Sequence, residues 1–70
     1  MSRTIEISAV VPVYREEQNI RPFLQRLEPA LAACSEDYEI IFCLDPSPDQ
    51  TEQIIRDEID RNEKIRLMVF

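Results

Sequence analysis

The chain has 70 residues, contains neither glycine nor histidine, and carries eight lysines and arginines against fourteen aspartates and glutamates, a formal charge of −6. A chain of this length forms one small domain at most. The missing glycines exclude the glycine-rich phosphate-binding loops, and the missing histidines exclude a Ser-His-Asp triad and histidine-ligated metals. The acidic balance, without a cluster of lysine or arginine, argues against nucleic acid as a partner.

Two cysteines, Cys34 and Cys43, form no C-x-x-C pair, so we predict two free, half-buried thiols. No apolar run approaches the ~18 residues that span a bilayer, and the first residues lack the apolar core of a signal peptide. These residues are therefore expected to be cytoplasmic.

The first half of the chain predicts a strand followed by a helix. Residues 7–13 are apolar and β-branched, and Pro12 is expected to end the pairing of this strand because it has no N–H to donate. Over residues 20–34 the apolar side chains recur at helical spacing, with Asn19 as the N-cap. Pro29 removes an internal hydrogen bond, so we expect a kink or a 3₁₀ break there.

The second half of the chain repeats this alternation. A second buried strand is predicted over residues 38–44, and a loop with two prolines follows it. The second helix ends near Asn62, and its N-cap is either Ser47 or Asp49, of which we favour Asp49. A third strand is predicted over residues 65–70.

This alternation predicts an α/β fold, a Rossmann-like βαβαβ unit with three parallel strands in the order 3-2-1. Both helices then cover one face of the sheet, whereas the strands are apolar on both faces, as in parallel sheets that are buried on two sides. Nothing in the sequence covers the second face. We therefore interpret residues 1–70 as the first part of a larger α/β domain that continues beyond Phe70.

The carboxyl ends of the first two strands are the predicted binding edge, because ligands of open α/β sheets bind there. Tyr14 and Glu16 follow the first strand, and Asp45 follows the second. An aromatic ring can line a base, and carboxylates accept hydrogen bonds from ribose hydroxyls or from a base N–H. These residues predict a cleft for a nucleoside, without a group that binds phosphate.

Structural roles are open for the same residues. Glu16 and Glu17 precede a helix whose N-terminal dipole favours carboxylates, so both are alternatively solvated charges at the helix start. Asp45 and Asp49 are alternatively a turn residue and a cap. Tyr14 alternatively fills the gap between strand and helix.

Two segments resemble family 2 glycosyltransferases of the GT-A fold, which use nucleotide-diphospho-sugars. Residues 10–20, VVPVYREEQNI, are similar to the opening V-V-P-V-Y-N-E-E-x-N-I of that family. Residues 38–51, YEIIFCLDPSPDQT, are similar to its Y-E-I-I-F-V-D-D-G-S-T-D-G-T. The resemblance extends over residues 7–70 and is closest to the polyprenyl-phosphate branch, which includes the dolichol-phosphate mannosyltransferases and bactoprenol glucosyltransferases.

The resemblance implies that the chain is the donor-nucleotide half-site of an inverting glycosyltransferase. This enzyme would move a sugar from a nucleoside diphosphate, a UDP-sugar in our interpretation, to a polyprenyl phosphate. Pro12, Tyr14 and Glu16 would line the base and ribose, and Asp45 would be the remaining acidic partner. Mg²⁺ or Mn²⁺ would stabilise the leaving diphosphate, but the D-x-D motif that binds it matches nothing before Phe70, and the catalytic residues are expected beyond that point.

This chain departs from the family pattern at the predicted site. Arg15 stands where the family has asparagine, and Leu44 stands where the first of two aspartates commonly receives the base. Pro46 and Gln50 replace glycines. The base contact is then expected to shift to Asp45 or to the backbone, which leaves the identity of the base open.

The resemblance also implies a place at the cell membrane, because a polyprenyl acceptor cannot leave the bilayer. The domain is expected on the cytoplasmic side, anchored by transmembrane helices beyond this chain. Whether the protein forms homo-oligomers is left open. The alternatives are a flavodoxin-like signalling or binding domain with Asp45 as phospho-acceptor, a glycosyltransferase with a non-lipid acceptor, and a purely structural α/β fragment.

Overall fold

The computed structural model describes residues 5–46 and 48–70, in which strands and helices alternate. The elements are β1 (Ile7–Val13), α1 (Ile20–Cys34), β2 (Tyr38–Leu44), α2 (Thr51–Arg61) and β3 (Ile65–Val69). The predicted α/β alternation is confirmed. The third strand ends one residue earlier than predicted, although the N–H of Phe70 still donates to the carbonyl of Leu44 at 3.0 Å.

The strands form one parallel sheet with β2 in the centre. β1 pairs with β2 along its whole length and ends with Val13 opposite Leu44. β3 pairs with the other edge of β2. The predicted strand order 3-2-1 is confirmed, because it is the order β1-β2-β3 counted from the opposite edge.

Pro12 does not end the pairing of β1, so that prediction was wrong. It lies opposite Cys43 inside the ladder, and the next carbonyl, that of Val13, accepts from the N–H of Asp45 at 3.2 Å. Successive residues of a strand point their backbone groups to opposite sides. The nitrogen of Pro12 therefore points away from β2, to the edge where the described sheet has no further strand.

The hydrophobic core lies between this sheet and the two helices. Alternate residues of β2 face the helices and are buried, and the first turns of α1 and the middle of α2 pack on them. The buried apolar residues are Val13, Ile20, Leu24, Tyr38, Ile40, Phe42, Leu44, Ile55 and Ile65. Of the two thiols, that of Cys43 is half-buried as predicted, whereas that of Cys34 is exposed because it lies beyond the part of α1 that packs on the core.

Pro29 lies inside α1 without interrupting it, so the predicted 3₁₀ break is wrong, whereas the alternative, a kink, stays a prediction. The helix runs through this position to Cys34 as α-helix. The carbonyl that loses its partner belongs to Gln25, and both residues lie on the exposed side of the helix. Water can bond a carbonyl at such a place, which lets the helix continue.

Neither helix begins with the predicted side-chain cap. Asn19 is at the N-cap position of α1, but its Nδ2 donates to Oε2 of Glu16 at 2.8 Å instead of capping the helix. The N-cap of α2 is Gln50, one residue after the favoured Asp49. Asp49 still serves the helix start, because its Oδ1 accepts from the N–H of Thr51 at 3.2 Å. The alternative cap, Ser47, lies outside the described residues.

The second face of the sheet, which we call the open face, has no cover among the described residues. Its side chains are Ser8, Val10, Pro12, Glu39, Ile41, Cys43, Arg66 and Met68. One half is polar, since the carboxylate of Glu39 accepts from Ser8 Oγ at 2.8 Å and from Arg66 Nε at 3.1 Å. The other half is apolar, with Val10 61% and Met68 52% exposed.

Residues 1–70 expressed alone are expected to self-associate or to bind a hydrophobic dye. A domain of this size buries only about 60% of its unfolded surface, and the apolar half of the open face stays in water. Val10→Thr combined with Met68→Gln should reduce both effects, because these changes remove exposed apolar area and leave the core intact. Size-exclusion chromatography and dye fluorescence measure them. A monodisperse, dye-negative monomer with a cooperative thermal transition would contradict the prediction.

Candidate functional site

Two loops lie side by side at the carboxyl edge of the sheet: the first loop, residues 14–19, and the second loop, of which residues 45, 46 and 48–50 are described. They are adjacent because β1 and β2 end opposite each other, and the N–H of Asp45 donates to the carbonyl of Val13. Tyr14 and Asp45, the first residues beyond their strands, are therefore neighbours. The structure thus brings together the two loops that the sequence places at the binding edge.

Two hydrogen bonds connect the first loop to the start of α2. The N–H of Glu16 donates to Oγ1 of Thr51 at 2.9 Å, and the N–H of Gln50 donates to Oε2 of Glu17 at 2.9 Å. The bonded residues are 35 and 33 positions apart in sequence. The first loop is therefore held by the neighbouring helix, and not only by the helix that it precedes.

Thr51 is the residue on which this connection depends. Its side chain is 0% exposed, and its hydroxyl donates to Oδ1 of Asp49 at 2.7 Å while it accepts from the N–H of Glu16. No role was predicted for Thr51 from the sequence. The available signal was the Asp-x-Thr spacing of residues 49–51, which matches the end of the second family segment.

Glu17 has a structural role, but at a different helix from the one considered in the sequence analysis. Neither Glu16 nor Glu17 lies in the first turn of α1, which contains no acidic residue. Glu17 instead accepts a hydrogen bond from the N–H of Gln50, the N-cap residue of α2. Its charge lies at the positive end of that helix, where carboxylates are stabilised.

The four predicted site residues form two pairs. Pro12 and Glu16 line a cavity of about 230 Å³, together with Val11, Val13, Asn19 and Phe23. Tyr14 and Asp45 line neither this cavity nor the larger cleft beside it, and both side chains are exposed at the end of the sheet. The described residues therefore place the four at one edge without enclosing them in one cavity.

The carboxylates of the two loops differ in how many of their oxygens are engaged. Asp49 accepts two hydrogen bonds from Thr51, as expected of a turn or cap residue. The carboxylate of Asp45 has no hydrogen-bond or ion-pair partner in the described part of the chain. Glu16 uses Oε2 to accept from Asn19, while its Oε1 has no such partner there. Asp45 and Glu16 therefore present unused acceptors at the strand ends.

Tyr14 does not fill the gap between strand and helix, because its side chain is 50% exposed. Cζ of Arg15 lies over its ring, 5.4 Å from the centroid. Beside this pair is a cleft of about 380 Å³ between the two loops, lined by Arg15, Glu17, Gln18, Asn19, Pro48 and Asp49. The carboxyl edge thus combines an accessible ring, one cation and several acceptors.

A metal site is not formed by the residues that the structure describes. They contain no group of three or more cysteine, aspartate or glutamate side chains arranged to hold a cation. The carboxylates of Glu17 and Asp49, which line the cleft between the loops, accept hydrogen bonds from backbone N–H groups at the start of α2. Across the same residues, neither helix has the length and apolar character needed to cross a membrane.

The comparison with known families agrees with this arrangement of strands and loops. Residues 8–70 match the model of the family described as glycosyl transferase family 2. The chain belongs to this family. The expected resemblance is therefore confirmed, and the three parallel strands with intervening helices are consistent with the start of a family 2 domain.

Individual relatives share between a third and two fifths of the aligned residues. An uncharacterized glycosyltransferase of Bacillus subtilis, YkcC, is 37% identical over 70 residues, which are 100% of this chain and 22% of that protein. An undecaprenyl-phosphate 4-deoxy-4-formamido-L-arabinose transferase of Aeromonas hydrophila is 39% identical over 51 residues, 73% of this chain and 16% of that protein. A dodecaprenyl-phosphate galacturonate synthase of Rhizobium johnstonii is 35% identical over 49 residues, 70% of this chain and 14% of that protein. The chain therefore spans about a fifth or less of the length of these relatives.

Removal of the Thr51 hydroxyl should loosen the carboxyl edge of this family 2 domain. Thr51→Val keeps the side-chain shape but removes the acceptor of the Glu16 N–H and one of the donors to Oδ1 of Asp49. We expect the free energy of unfolding to fall by about 1–3 kcal/mol, and the Glu16 amide to exchange its hydrogen faster. Thr51→Ser, which keeps the hydroxyl, is the control, and its free energy of unfolding should fall much less. Equal denaturation midpoints for Thr51→Val and the wild type would contradict the role given to this residue.

Proposed function

We propose that the protein is an inverting glycosyltransferase that transfers a sugar from a nucleoside-diphosphate sugar to a polyprenyl phosphate. In this proposal, residues 1–70 are the nucleotide-binding part of a GT-A domain whose remainder follows Phe70. Membership of family 2 supports the transferase activity. The names of the undecaprenyl-phosphate and dodecaprenyl-phosphate relatives support a lipid phosphate as the acceptor.

The observation that carries the donor site is the pair of unused carboxylate acceptors on adjacent strand ends. Oε1 of Glu16 and the carboxylate of Asp45 have no partner among the described residues, and both lie where open α/β sheets bind ligands. We assign the ribose hydroxyls to Glu16, because each hydroxyl can donate to a carboxylate oxygen. Pro12 shares a cavity with Glu16 and contributes an apolar wall to the same subsite.

The base is assigned to Tyr14 and Asp45. The exposed ring of Tyr14 offers a face for stacking, and Asp45 offers an acceptor for a base N–H. Leu44 cannot replace Asp45 in this role, because it is apolar and only 1% exposed within the core. An imide N–H, as in uracil, is a donor that suits a single carboxylate, so a uridine nucleotide is the donor that we propose.

The proposed reaction is a direct displacement at the anomeric carbon of the sugar. An oxygen of the acceptor phosphate forms the new bond to this carbon, while the bond to the nucleoside diphosphate breaks and the diphosphate leaves with the electron pair. The acceptor phosphate is already anionic and therefore needs little help from a general base. The residues of this chain bind and orient the nucleotide, and we propose that the groups acting on the anomeric carbon follow Phe70.

Mg²⁺ or Mn²⁺ is proposed for the whole enzyme, where it would stabilise the charge of the leaving diphosphate. The described residues do not fit this role, because they form no cluster of three ligands, and the carboxylates of Glu17 and Asp49 bond to N–H groups of α2. We therefore assign the cation to a D-x-D motif outside this chain. No step assigned to the residues above depends on it.

Asp45→Ala should weaken the binding of UDP to the full-length protein by about 1–3 kcal/mol, because a hydrogen bond to a charged acceptor is lost. Isothermal titration calorimetry measures the affinity. Asp60→Ala, which removes an exposed carboxylate of α2 away from the loops, is the matched control and should leave the affinity unchanged. If Asp45→Ala binds UDP as tightly as the wild type, Asp45 is a turn residue only.

The lipid acceptor predicts a membrane protein with this domain on the cytoplasmic side. The complete reading frame should encode at least one apolar stretch of ~18 residues or more, and the protein should sediment with membranes. Purified enzyme should glycosylate a polyprenyl phosphate in preference to a soluble sugar or protein. The opposite preference would refute the lipid acceptor but leave the nucleotide site standing.

A further inference from the structure

Arg15 has a backbone conformation that arginine does not favour. Its φ is 52°, which makes it the one described residue with a positive φ. A side chain with a Cβ is strained in this left-handed region, and asparagine and aspartate tolerate it better than other residues. The family segment has asparagine at this position, so the backbone suits the family residue and not the one present here. A strained residue at a ligand-binding edge points to a role for its side chain.

The guanidinium of Arg15 is held in place but not neutralised. Cζ lies 5.4 Å from the centroid of the Tyr14 ring, a cation–π contact that restrains a long side chain. Within the described part of the chain Arg15 makes no ion pair with a carboxylate. Other arginines are paired: Arg21 with Asp57 and Glu58, Arg56 with Glu52, Arg61 with Glu58, and Arg66 with Glu39. Arg15 therefore keeps its charge and its N–H donors available.

Arg15 is also the only lysine or arginine in the sequence of the two loops. It lines the cleft of about 380 Å³ between them, together with Glu17 and Asp49. These two carboxylates accept from N–H groups at the N-terminus of α2, so the positive end of that helix offsets their charge. The cation that faces this cleft is thus not cancelled by the acids that share it.

We propose that Arg15 binds a phosphate group at the carboxyl edge of the sheet. The inference rests on the proposed function and supplies the phosphate contact that the sequence analysis did not find. The planar guanidinium donates two parallel N–H groups, which match the oxygens of a phosphate. Two sources offer this chemistry, the diphosphate of the sugar donor and the phosphate of the lipid acceptor.

The test is Arg15→Asn in the full-length protein. Asparagine suits the left-handed backbone, so the variant should fold at least as well as the wild type, with an equal or higher melting temperature. Arg26→Gln is the matched control, because Arg26 is an exposed residue of α1 without an ion pair among the described residues, and its loss changes the net charge by the same amount. Binding of uridine and UDP, with guanosine and GDP in parallel, is measured by calorimetry at low and high salt.

If Arg15 binds the donor diphosphate, Arg15→Asn should bind UDP roughly 10- to 100-fold more weakly, while its affinity for uridine changes less than about twofold. The difference in UDP affinity between the wild type and Arg15→Asn should shrink at high salt. Arg15→Lys should recover part of the affinity, because lysine keeps the positive charge but lacks the two parallel N–H donors of the guanidinium. If the phosphate is that of the lipid, the affinity for UDP should be unchanged, and the KM for a short-chain polyprenyl phosphate should rise by a similar factor.

Three results would overturn the inference. First, Arg15→Asn could weaken the binding of uridine and of UDP equally, which would assign Arg15 to the base. Second, Arg15→Asn could leave both the affinity for UDP and the KM for the acceptor unchanged. Third, Arg26→Gln could weaken binding as much as Arg15→Asn does, which would reduce the effect to net charge. In each case a wild type that binds UDP leaves the proposed function standing. A wild type that binds none of these nucleotides would refute the proposed function, and this inference with it.

Discussion

The geometry of the carboxyl edge depends on one buried hydroxyl, that of Thr51. It accepts from the backbone of the first loop and donates to Asp49 in the second, so a single group fixes the distance between two loops that belong to different strands. The N–H of Gln50 and the carboxylate of Glu17 add a second connection beside it. Tyr14, Arg15 and Glu16 are therefore presented on a loop that is held at both its strand end and its middle.

The order and extent of the strands and helices could be predicted because they follow from periodicity. Apolar runs with β-branched residues mark β1 and β2, and spacing of three and four marks α1. The errors at Pro12 and Pro29 have a common cause, since the cost of a proline depends on the surroundings of the hydrogen bond that it cannot make. The missing N–H of Pro12 would point to the free edge of the described sheet, and the carbonyl of Gln25, which loses its donor at Pro29, lies on the exposed side of α1. Only the three-dimensional packing reveals both.

The candidate site could be predicted in position but not in detail. That Tyr14, Glu16 and Asp45 lie at one edge follows from parallel pairing of adjacent strands. The role of Glu17 could not be predicted, because its carboxylate bonds to the N–H of Gln50, 33 residues away, and a long-range contact of this kind leaves no periodic signal. The role of Asp49 at the start of α2 could be predicted, because its contact with Thr51 spans only two residues. The positive φ of Arg15 and the position of its guanidinium over the Tyr14 ring likewise could not be predicted from the sequence.

The two hydrogen bonds that hold the first loop join residues 35 and 33 positions apart. Neither bond can form until α1 has folded back, β2 has paired with β1, and the start of α2 has reached its place. The loop therefore acquires its shape late in folding, after the long-range contacts that limit the rate. Its bonds are then lost early in unfolding, so a ligand that spans the two loops slows the opening of the domain more than it speeds its formation.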